Sequence, residues 1–93
     1  MAIFAVQYSY SAEPEQLAEI RPSHRDWLAN HYEAGVLLAS GPWLNIAGAL
    51  LIFRADDVQT LAHLLDQDPF DIAGFIGERV IEEWDPIYGP FAK

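Results

Sequence analysis

Short apolar stretches recur four times along the chain, the first of them rich in aromatic and branched residues, separated by polar segments and by glycine or proline. Runs of this kind, bounded by turn-forming residues, are typical of β-strands. The sequence therefore predicts four strands, at Ala2–Tyr10 and at residues 36–40, 48–54 and 78–84.

The segment between the first two predicted strands has helical periodicity in its second half. Pro22 suits the first turn of a helix, where its missing N–H costs nothing, and Gly35 is a natural C-terminal stop. We therefore predict a helix over residues 22–34. Residues 11–20 are predicted to be a polar connection in which a helical turn can begin after Pro14.

A second helix is predicted between the third and fourth strands. Asp56 or Asp57 caps its start, and the helix runs to about residue 66 before Asp68-Pro69-Phe70 breaks it. The predicted order is strand, helix, strand, strand, helix, strand, which is the split βαβ arrangement. We expect one α+β domain over residues 1–93, ferredoxin-like, with a four-stranded antiparallel sheet and both helices on one face.

The strand patterns predict that both faces of this sheet are apolar, although two helices can cover only one face. An antiparallel sheet with one face in water would alternate apolar and polar positions, and monomers rarely expose large apolar patches. We therefore expect a homodimer packed sheet to sheet, a dimeric α/β barrel. The alternative is a monomer whose second face is covered by the C-terminal tail. In the first strand, Ile3 and Ala5 share one side, and Phe4, Val6 and Tyr8 share the other. In the third strand, Leu50 and Ile52 share one side, and Ala49, Leu51 and Phe53 share the other.

Composition narrows the function classes. The chain is 52% hydrophobic with a formal net charge of −9 and only five Lys and Arg, so it would repel a nucleic-acid backbone or an anionic membrane. Its longest apolar stretches, such as residues 47–53, are too short to span a bilayer, and the N-terminus does not read as a signal peptide. Cysteine is absent, which excludes disulfides and thiolate ligands. We expect a cytoplasmic protein that binds neither nucleic acid nor membrane.

Three histidines are candidates for chemistry, and helical position separates them. Positions 24, 27, 28, 31 and 32 share one stripe of the first helix, so His24 and His31 point inward. A buried imidazole must find a partner, which makes His24 worth explaining. His31 is predicted to be a packed histidine, and His63 to lie on the solvent side of the second helix.

Several common kinds of site have no signature here. There is no His-x3-His pair, no cysteine, no Gly-x-Ser-x-Gly segment and no glycine-rich phosphate loop. We therefore expect no metal. Asp68 can be simply a turn-former before proline, and spacing alone does not decide whether it approaches His24.

Six short segments in a fixed order make the chain resemble the YCII-related family. The family tends to carry Arg-Pro-x-His at the start of the first helix, a glycine at its end, and a small-Gly-Pro segment after the second strand. It also tends to carry a glycine before the third strand, Asp-Pro-aromatic after the second helix, and a glycine behind it. The matching residues are Arg21-Pro22-Ser23-His24, Gly35, Ser40-Gly41-Pro42, Gly48, Asp68-Pro69-Phe70 and Gly74.

This resemblance covers nearly the whole chain and implies a dimeric α/β barrel with a His–Asp pair in a cleft. On this sequence the pair is His24 and Asp68. The family is similar to enzymes acting on small ring compounds, including a dehydrochlorinase for chlorinated hydroxyquinols and muconolactone isomerases. The turn at residues 43–47 and the C-terminal tail depart from common members, so the substrate does not transfer.

The leading hypothesis is a cofactor-independent lyase or isomerase of small-molecule catabolism. His24 would move a proton on a hydroxylated ring or a lactone, and Asp68 would orient His24 or serve as the acid. Arg21, Arg25 or Arg79 could hold a phenolate or carboxylate, and Trp27 is expected among the aromatic walls. We assign the substrate site to Tyr8, Arg21, Ser40, Gly41, Pro42, Trp43 and Phe70.

Two other functions stay open on the sequence. One is a non-catalytic small-molecule-binding or accessory protein, in which the His24–Asp68 pair is structural. The other is a haem-binding barrel, for which His31 is the only spare axial ligand.

Overall fold

The computed structural model describes residues 1–92 and folds into one four-stranded antiparallel sheet with its helices on one side. The split βαβ prediction is confirmed, with one additional short helix before the last strand. No helix within residues 1–92 combines the length and the apolar character needed to cross a membrane. The elements are β1 (Ala2–Tyr10), α1 (Pro14–Glu33), β2 (Leu37–Pro42), β3 (Gly48–Ala55), α2 (Val58–Leu65), α3 (Pro69–Ile72) and β4 (Ile76–Trp84).

The strand order across the sheet is β2-β3-β1-β4, so β1 and β3 are central and β2 and β4 form the edges. All three neighbouring pairs are antiparallel. Tyr8 lies opposite Ala49 on β3 and opposite Arg79 on β4, which places it in the middle of the sheet. From this position Tyr8 reaches Asp68 in the loop after α2.

Helix α1 is longer than predicted. It begins at Pro14, with Glu13 as its N-cap and the Gln16 side chain accepting a hydrogen bond from the Glu13 N–H at 2.9 Å. Pro22 therefore lies inside the helix, and the prediction of a start at Pro22 was wrong. Two prolines fit the first turn of a helix, and Pro14 takes that place because it has the cap beside it.

The other helix boundaries follow the sequence signals more closely. Gly35 has φ of +78°, the left-handed conformation that ends α1 and that only glycine adopts without strain. Asp57 caps α2, and its side chain accepts from the Thr60 N–H at 2.8 Å. The break at Asp68 opens α3, a short helix that the sequence did not predict.

The predicted strands are correct in number and order but differ at their ends. Strand β2 runs on to Pro42 instead of stopping at Ser40, which is possible because an edge strand tolerates a residue without an N–H. Strand β4 begins at Ile76 rather than at Glu78. Gly48, at the start of β3, allows a close approach, because a Cβ there would lie 2.2 Å from the Tyr8 carbonyl oxygen.

The core lies between the sheet and the helices. The even-numbered residues of β1 and the odd-numbered residues of β3 face the helices, and the alternation along each strand had grouped these residues on one side. Full burial of such a side chain contributes about 1.5–3 kcal/mol, so this layer is the main source of stability. The buried cluster comprises Phe4, Val6, Tyr8, Leu37, Ala49, Leu51, Phe53, Ala55, Leu61 and Leu65.

The open face of the sheet is less uniformly apolar than predicted. Ile3 and Ile52 are already buried within one chain, at 3% and 6% exposure. By register, β4 places Glu82 opposite Ala5 and Glu78 opposite Ser9 on this face, and both glutamates are exposed. The apolar part is therefore a central strip, and acidic residues border it along β4.

Candidate functional site

His24 and Asp68 lie side by side beneath helix α1. The distance from His24 Nδ1 to Asp68 Oδ1 is 2.7 Å, and the two residues are 6% and 0% exposed. Helix α1 supplies the imidazole, and the loop between α2 and α3 supplies the carboxyl group. The structure thus brings together the two residues that the family resemblance paired.

Three donors hold the Asp68 side chain in place. Asp68 is the N-cap of α3, and its Oδ1 accepts from the Phe70 N–H at 3.0 Å. The Tyr8 hydroxyl donates to Oδ2 at 3.0 Å. With His24 as the third donor, both carboxylate oxygens act as acceptors, which is the pattern of an ionised carboxylate.

The orientation of the His24 ring follows from this carboxylate. Because Asp68 accepts at both oxygens, Nδ1 carries the hydrogen that lies between the two groups. The other ring nitrogen, Nε2, is then left for a molecule in the adjoining cavity. Phe70 stacks on the imidazole, with ring centroids 4.0 Å apart and planes inclined by 15°, and so restricts rotation of the ring.

Two tyrosines surround the pair. Burial raises the pKa of Tyr8, and the charge of Asp68 and the hydrogen bond to it raise the pKa further, so Tyr8 stays a donor. Burial and Asp68 also raise the pKa of Tyr10, whereas Arg21 lowers it. Tyr10 was not among the predicted site residues, although the period of two along β1 places it on the same face as Tyr8.

A cavity of about 680 Å³ adjoins the pair, between α1 and the strands β2 and β3. Its size is in the range of ligand sites for small molecules. Most of the wall is aliphatic or aromatic, with a few polar groups on α1. The lining residues are Tyr10, Arg21, His24, Arg25, Leu28, Ala29, Tyr32, Leu37, Leu38, Ala39, Ser40, Gly41, Pro42, Ala49, Leu51 and Phe70.

Five of the seven residues assigned to the substrate site line this cavity, together with His24. They are Arg21, Ser40, Gly41, Pro42 and Phe70.

Tyr8 and Trp43 do not line the large cavity. Tyr8 is 1% exposed and lies behind Asp68, so it contacts the carboxylate rather than a ligand. Trp43 lines a separate hollow of about 270 Å³ with Leu50 and Ile52, which belong to the open face of the sheet. The short turn after Pro42 directs Trp43 to that face.

Trp27 also lies away from the large cavity. Its ring packs near Phe53 and edge-on to His31, with centroids 6.3 and 4.7 Å away, and its Nε1 is buried without a partner. Trp27 is therefore a core residue rather than a wall of the site.

The three candidate arginines differ in availability. Arg79 donates to Asp66 at 2.9 Å and to Asp71 at 2.6 Å, so its guanidinium bridges the two sides of the loop that carries Asp68. Arg21 and Arg25 line the cavity and form no ion pair within residues 1–92.

The remaining histidines lie outside the cavity. His31 is half-buried, packs against Trp27, and has its pKa lowered by burial. His63 is exposed, as predicted. Within residues 1–92, no three His, Asp or Glu side chains are grouped so that they could hold a metal ion.

The fold is similar to several solved structures of distant sequence. The 5-chloro-2-hydroxyhydroquinone dehydrochlorinase from Burkholderia phenoliruptrix AC1100, in complex with 2,5-dihydroxybenzoquinone, is 18% identical with a TM-score of 0.78, over 98% of this chain and 99% of that chain. An antibiotic biosynthesis monooxygenase is 14% identical with a TM-score of 0.62, over 95% and 100%. A NIPSNAP domain protein from Burkholderia xenovorans is 14% identical with a TM-score of 0.58, over 100% and 99%. At these identities the likeness establishes the fold.

Sequence comparison identifies the family. No curated protein matches the chain significantly. The model of the YCII-related domain matches residues 1–85, which include every strand, every helix and both members of the His24–Asp68 pair. The chain belongs to the YCII-related family.

Proposed function

We propose that the chain is a small cofactor-independent enzyme in which His24 moves a proton on a ring compound bound in the large cavity. The observation that carries the proposal is the position of His24. Its Nδ1 is fixed by Asp68 at 2.7 Å, while the residue forms part of the wall of a cavity of about 680 Å³. A carboxylate-oriented imidazole with one free nitrogen is suited to general acid–base catalysis near neutral pH.

The proton moves through His24 Nε2. In its neutral form Nε2 accepts a proton from a hydroxyl or carbon of the ring, and the imidazolium that results is stabilised by the Asp68 carboxylate. The same nitrogen then returns the proton to another atom of the substrate, or releases it to water. Proton transfer by a positioned side chain accelerates a reaction by about a hundredfold to ten-thousandfold.

Asp68 acts as a positioning residue in this proposal. It is fully buried, accepts three hydrogen bonds, and is not part of the cavity wall. Of the two roles considered for Asp68, orientation of His24 therefore has more support than that of an acid in contact with substrate. Tyr8 supports Asp68 from the sheet side through its 3.0 Å hydrogen bond.

The reaction classes that need only this chemistry are lyases and isomerases of hydroxylated rings or lactones. In an elimination from a chlorinated ring tautomer, His24 would take a proton as chloride departs with the carbon–chlorine electron pair. In a lactone isomerisation, it would take a proton from one carbon and return it to another. The dehydrochlorinase with the same fold supports the first class, and a place in the catabolism of aromatic compounds is part of the proposal.

The burial of the pair favours one alternative, a non-catalytic small-molecule-binding or accessory protein. Asp68 is 0% exposed and His24 only 6%, which is also the pattern of a structural pair. Breaking such a buried pair costs about 3–5 kcal/mol. In this alternative, the wild-type chain turns over no substrate, and substitution of His24 lowers the free energy of unfolding.

The experiment is a screen for turnover with a matched control. Chlorinated hydroquinones, other hydroxylated aromatics and lactones are incubated with the wild-type chain, with His24→Gln and with His63→Gln, and the products are separated by chromatography. His63 is exposed and does not line the cavity. We expect product from wild type and His63→Gln only. Equal product from His24→Gln would contradict the proposal.

The proposal includes a homodimer formed through the open face of the sheet. On this face Ala5, Leu50 and Val80 are only partly covered within one chain, and Trp84 is 41% exposed. Leu44, in the turn after β2, is 96% exposed. A second copy packed on the central strip would cover apolar surface that a monomer leaves in water.

A further inference from the structure

The charged residues that line the large cavity are positive, whereas the chain as a whole is negative. The chain has 14 Asp and Glu against five Lys and Arg. Two of those five cations, Arg21 and Arg25, line the cavity, whereas none of the 14 acidic residues does. The cavity is therefore a local region of positive charge in a strongly acidic molecule.

Arg21 lies one turn before His24 on α1, and Arg25, which follows His24 directly, lies four positions after Arg21; all three residues line the cavity. Residues three and four apart on a helix have Cβ atoms about 5–6 Å from each other, so Arg21, His24 and Arg25 can contact one small molecule together. Neither guanidinium has a carboxylate partner within residues 1–92. Arg79, in contrast, is held by two carboxylates.

A tyrosine hydroxyl adds a further polar group. Tyr10 lines the same cavity, and its pKa is raised by burial and by Asp68, with the charge of Arg21 opposing that rise only in part. The opposite wall is apolar, with Leu37, Ala49 and Leu51. The cavity thus has a cationic side on α1 and an apolar side on the sheet.

We propose that the cavity selects small ring compounds that carry an anionic oxygen group, carboxylate or phenolate, which Arg21 and Arg25 bind next to His24. This inference rests on the proposed function, because the bound ring is the molecule on which His24 acts. The apolar side accommodates the ring, and the guanidinium groups form charge-assisted hydrogen bonds with the anion. The same cations would stabilise negative charge that develops on a ring oxygen when His24 removes a proton.

Binding of a matched pair of probes tests this inference without any turnover. The anionic probe is 2,5-dihydroxybenzoate and the neutral probe is 2,5-dihydroxybenzamide, which has nearly the same shape. Titration calorimetry with the wild-type chain is expected to give a Kd at least about tenfold lower for the benzoate, as one charge-assisted hydrogen bond predicts. Equal affinities, or no binding of the benzoate at millimolar concentration, would overturn the proposal.

Three charge-neutralising variants locate the effect. Arg21→Gln and Arg25→Gln are each expected to weaken benzoate binding about tenfold and to leave benzamide binding unchanged. Arg54→Gln is the control, because Arg54 is exposed and does not line the cavity. An equal loss in Arg54→Gln would mean that the anion senses only the overall charge, and the proposal would be wrong.

The probe 2,5-dihydroxybenzoquinone, whose acidity comes from ring hydroxyls, distinguishes the two kinds of anion. If binding of this probe also weakens in Arg21→Gln and Arg25→Gln, the site accepts ring oxyanions as well as carboxylates. If only benzoate binding weakens in these variants, the site is restricted to carboxylates. Failure of the anion proposal is distinguishable from failure of the proposed function. Loss of turnover in His24→Gln without any anion preference refutes only the anion site, whereas full turnover in that variant with the preference intact refutes only the role of His24.

Discussion

The imidazole of His24 and the carboxylate of Asp68 meet at 2.7 Å although 44 positions separate them along the chain. One residue comes from the long first helix and the other from the loop between α2 and α3. The cap that starts α3 fixes Asp68, and Tyr8 on the central strand holds its second oxygen. The sheet, helix α1 and the start of α3 thus all contribute to holding the pair, and His24 lines a cavity.

The substitution Asp68→Asn tests the positioning role. The amide keeps the size of the side chain but carries no negative charge, so it cannot stabilise the imidazolium that forms when His24 takes a proton. We expect kcat/KM to fall about a hundredfold or more with the secondary structure preserved in circular dichroism. Asp26→Asn, at an exposed position of α1, is expected to keep full activity, and retained activity in Asp68→Asn would contradict the role.

High pH is expected to destabilise the fold through the buried tyrosines. Burial raises the pKa of Tyr8 and Tyr10 above the ordinary value of 10.0, so the folded chain holds these protons more tightly than the unfolded chain does. Their contribution is fully present below pH 10 and is lost as the pH rises beyond it. The free energy of unfolding, measured by denaturant titration, should therefore fall above pH 10.

The variants Tyr8→Phe and Tyr10→Phe should each reduce this decline. Tyr8→Phe should also cost about 1–3 kcal/mol at neutral pH, because it leaves a buried oxygen of Asp68 without its donor. An unchanged slope above pH 10 in both variants would show that other groups cause the loss of stability.

Gly48 is expected to be intolerant of even a methyl group. A Cβ at Gly48 would lie 2.2 Å from the Tyr8 carbonyl oxygen, which belongs to the backbone of β1 and cannot rotate away. Gly48→Ala should destabilise the fold by about 1–3 kcal/mol. Gly41→Ala is the control, since nothing lies within 4 Å of a Cβ at Gly41, and equal effects of the two substitutions would rule out the steric explanation.

The proposed dimer predicts a solution mass of twice the chain mass of 10.4 kDa. Multi-angle light scattering at micromolar concentration measures it directly. Leu50→Glu, on the partly covered strip of the open face, should convert the dimer to a monomer because it places a charge in the apolar contact. Val58→Glu, at a 41% exposed position of α2, should not. A monomeric wild type would contradict the dimer.

The fold could be predicted from the sequence because its signals are local. Alternation along β1 and β3 sorted the strand residues into two faces. Gly35 marked the end of α1 through its left-handed backbone conformation, and Asp57 marked the start of α2 through its capping side chain. The start of α1 could not be predicted, because Pro14 and Pro22 fit a first turn equally well and only the cap at Glu13 distinguishes them.

The site was less accessible to prediction because it is assembled by tertiary contacts. Helical periodicity placed His24 on the inner face of α1, but its pairing with Asp68 came from the family resemblance. The hydrogen bond from Tyr8 to Asp68 depends on how the helices pack on β1, and no local sequence pattern predicts this packing. Trp43 was assigned to the site and lies on the other side of the sheet, since the turn after β2 decides its direction.

The most direct measurement of the central claim is kcat/KM for His24→Gln on the best substrate found, with calorimetric binding of the same compound measured in parallel. Glutamine keeps a polar group beside Asp68 but cannot move a proton as an imidazole does. We predict that kcat/KM falls at least about a hundredfold while binding persists. An unchanged kcat/KM in a folded, ligand-binding variant would contradict a catalytic role for His24.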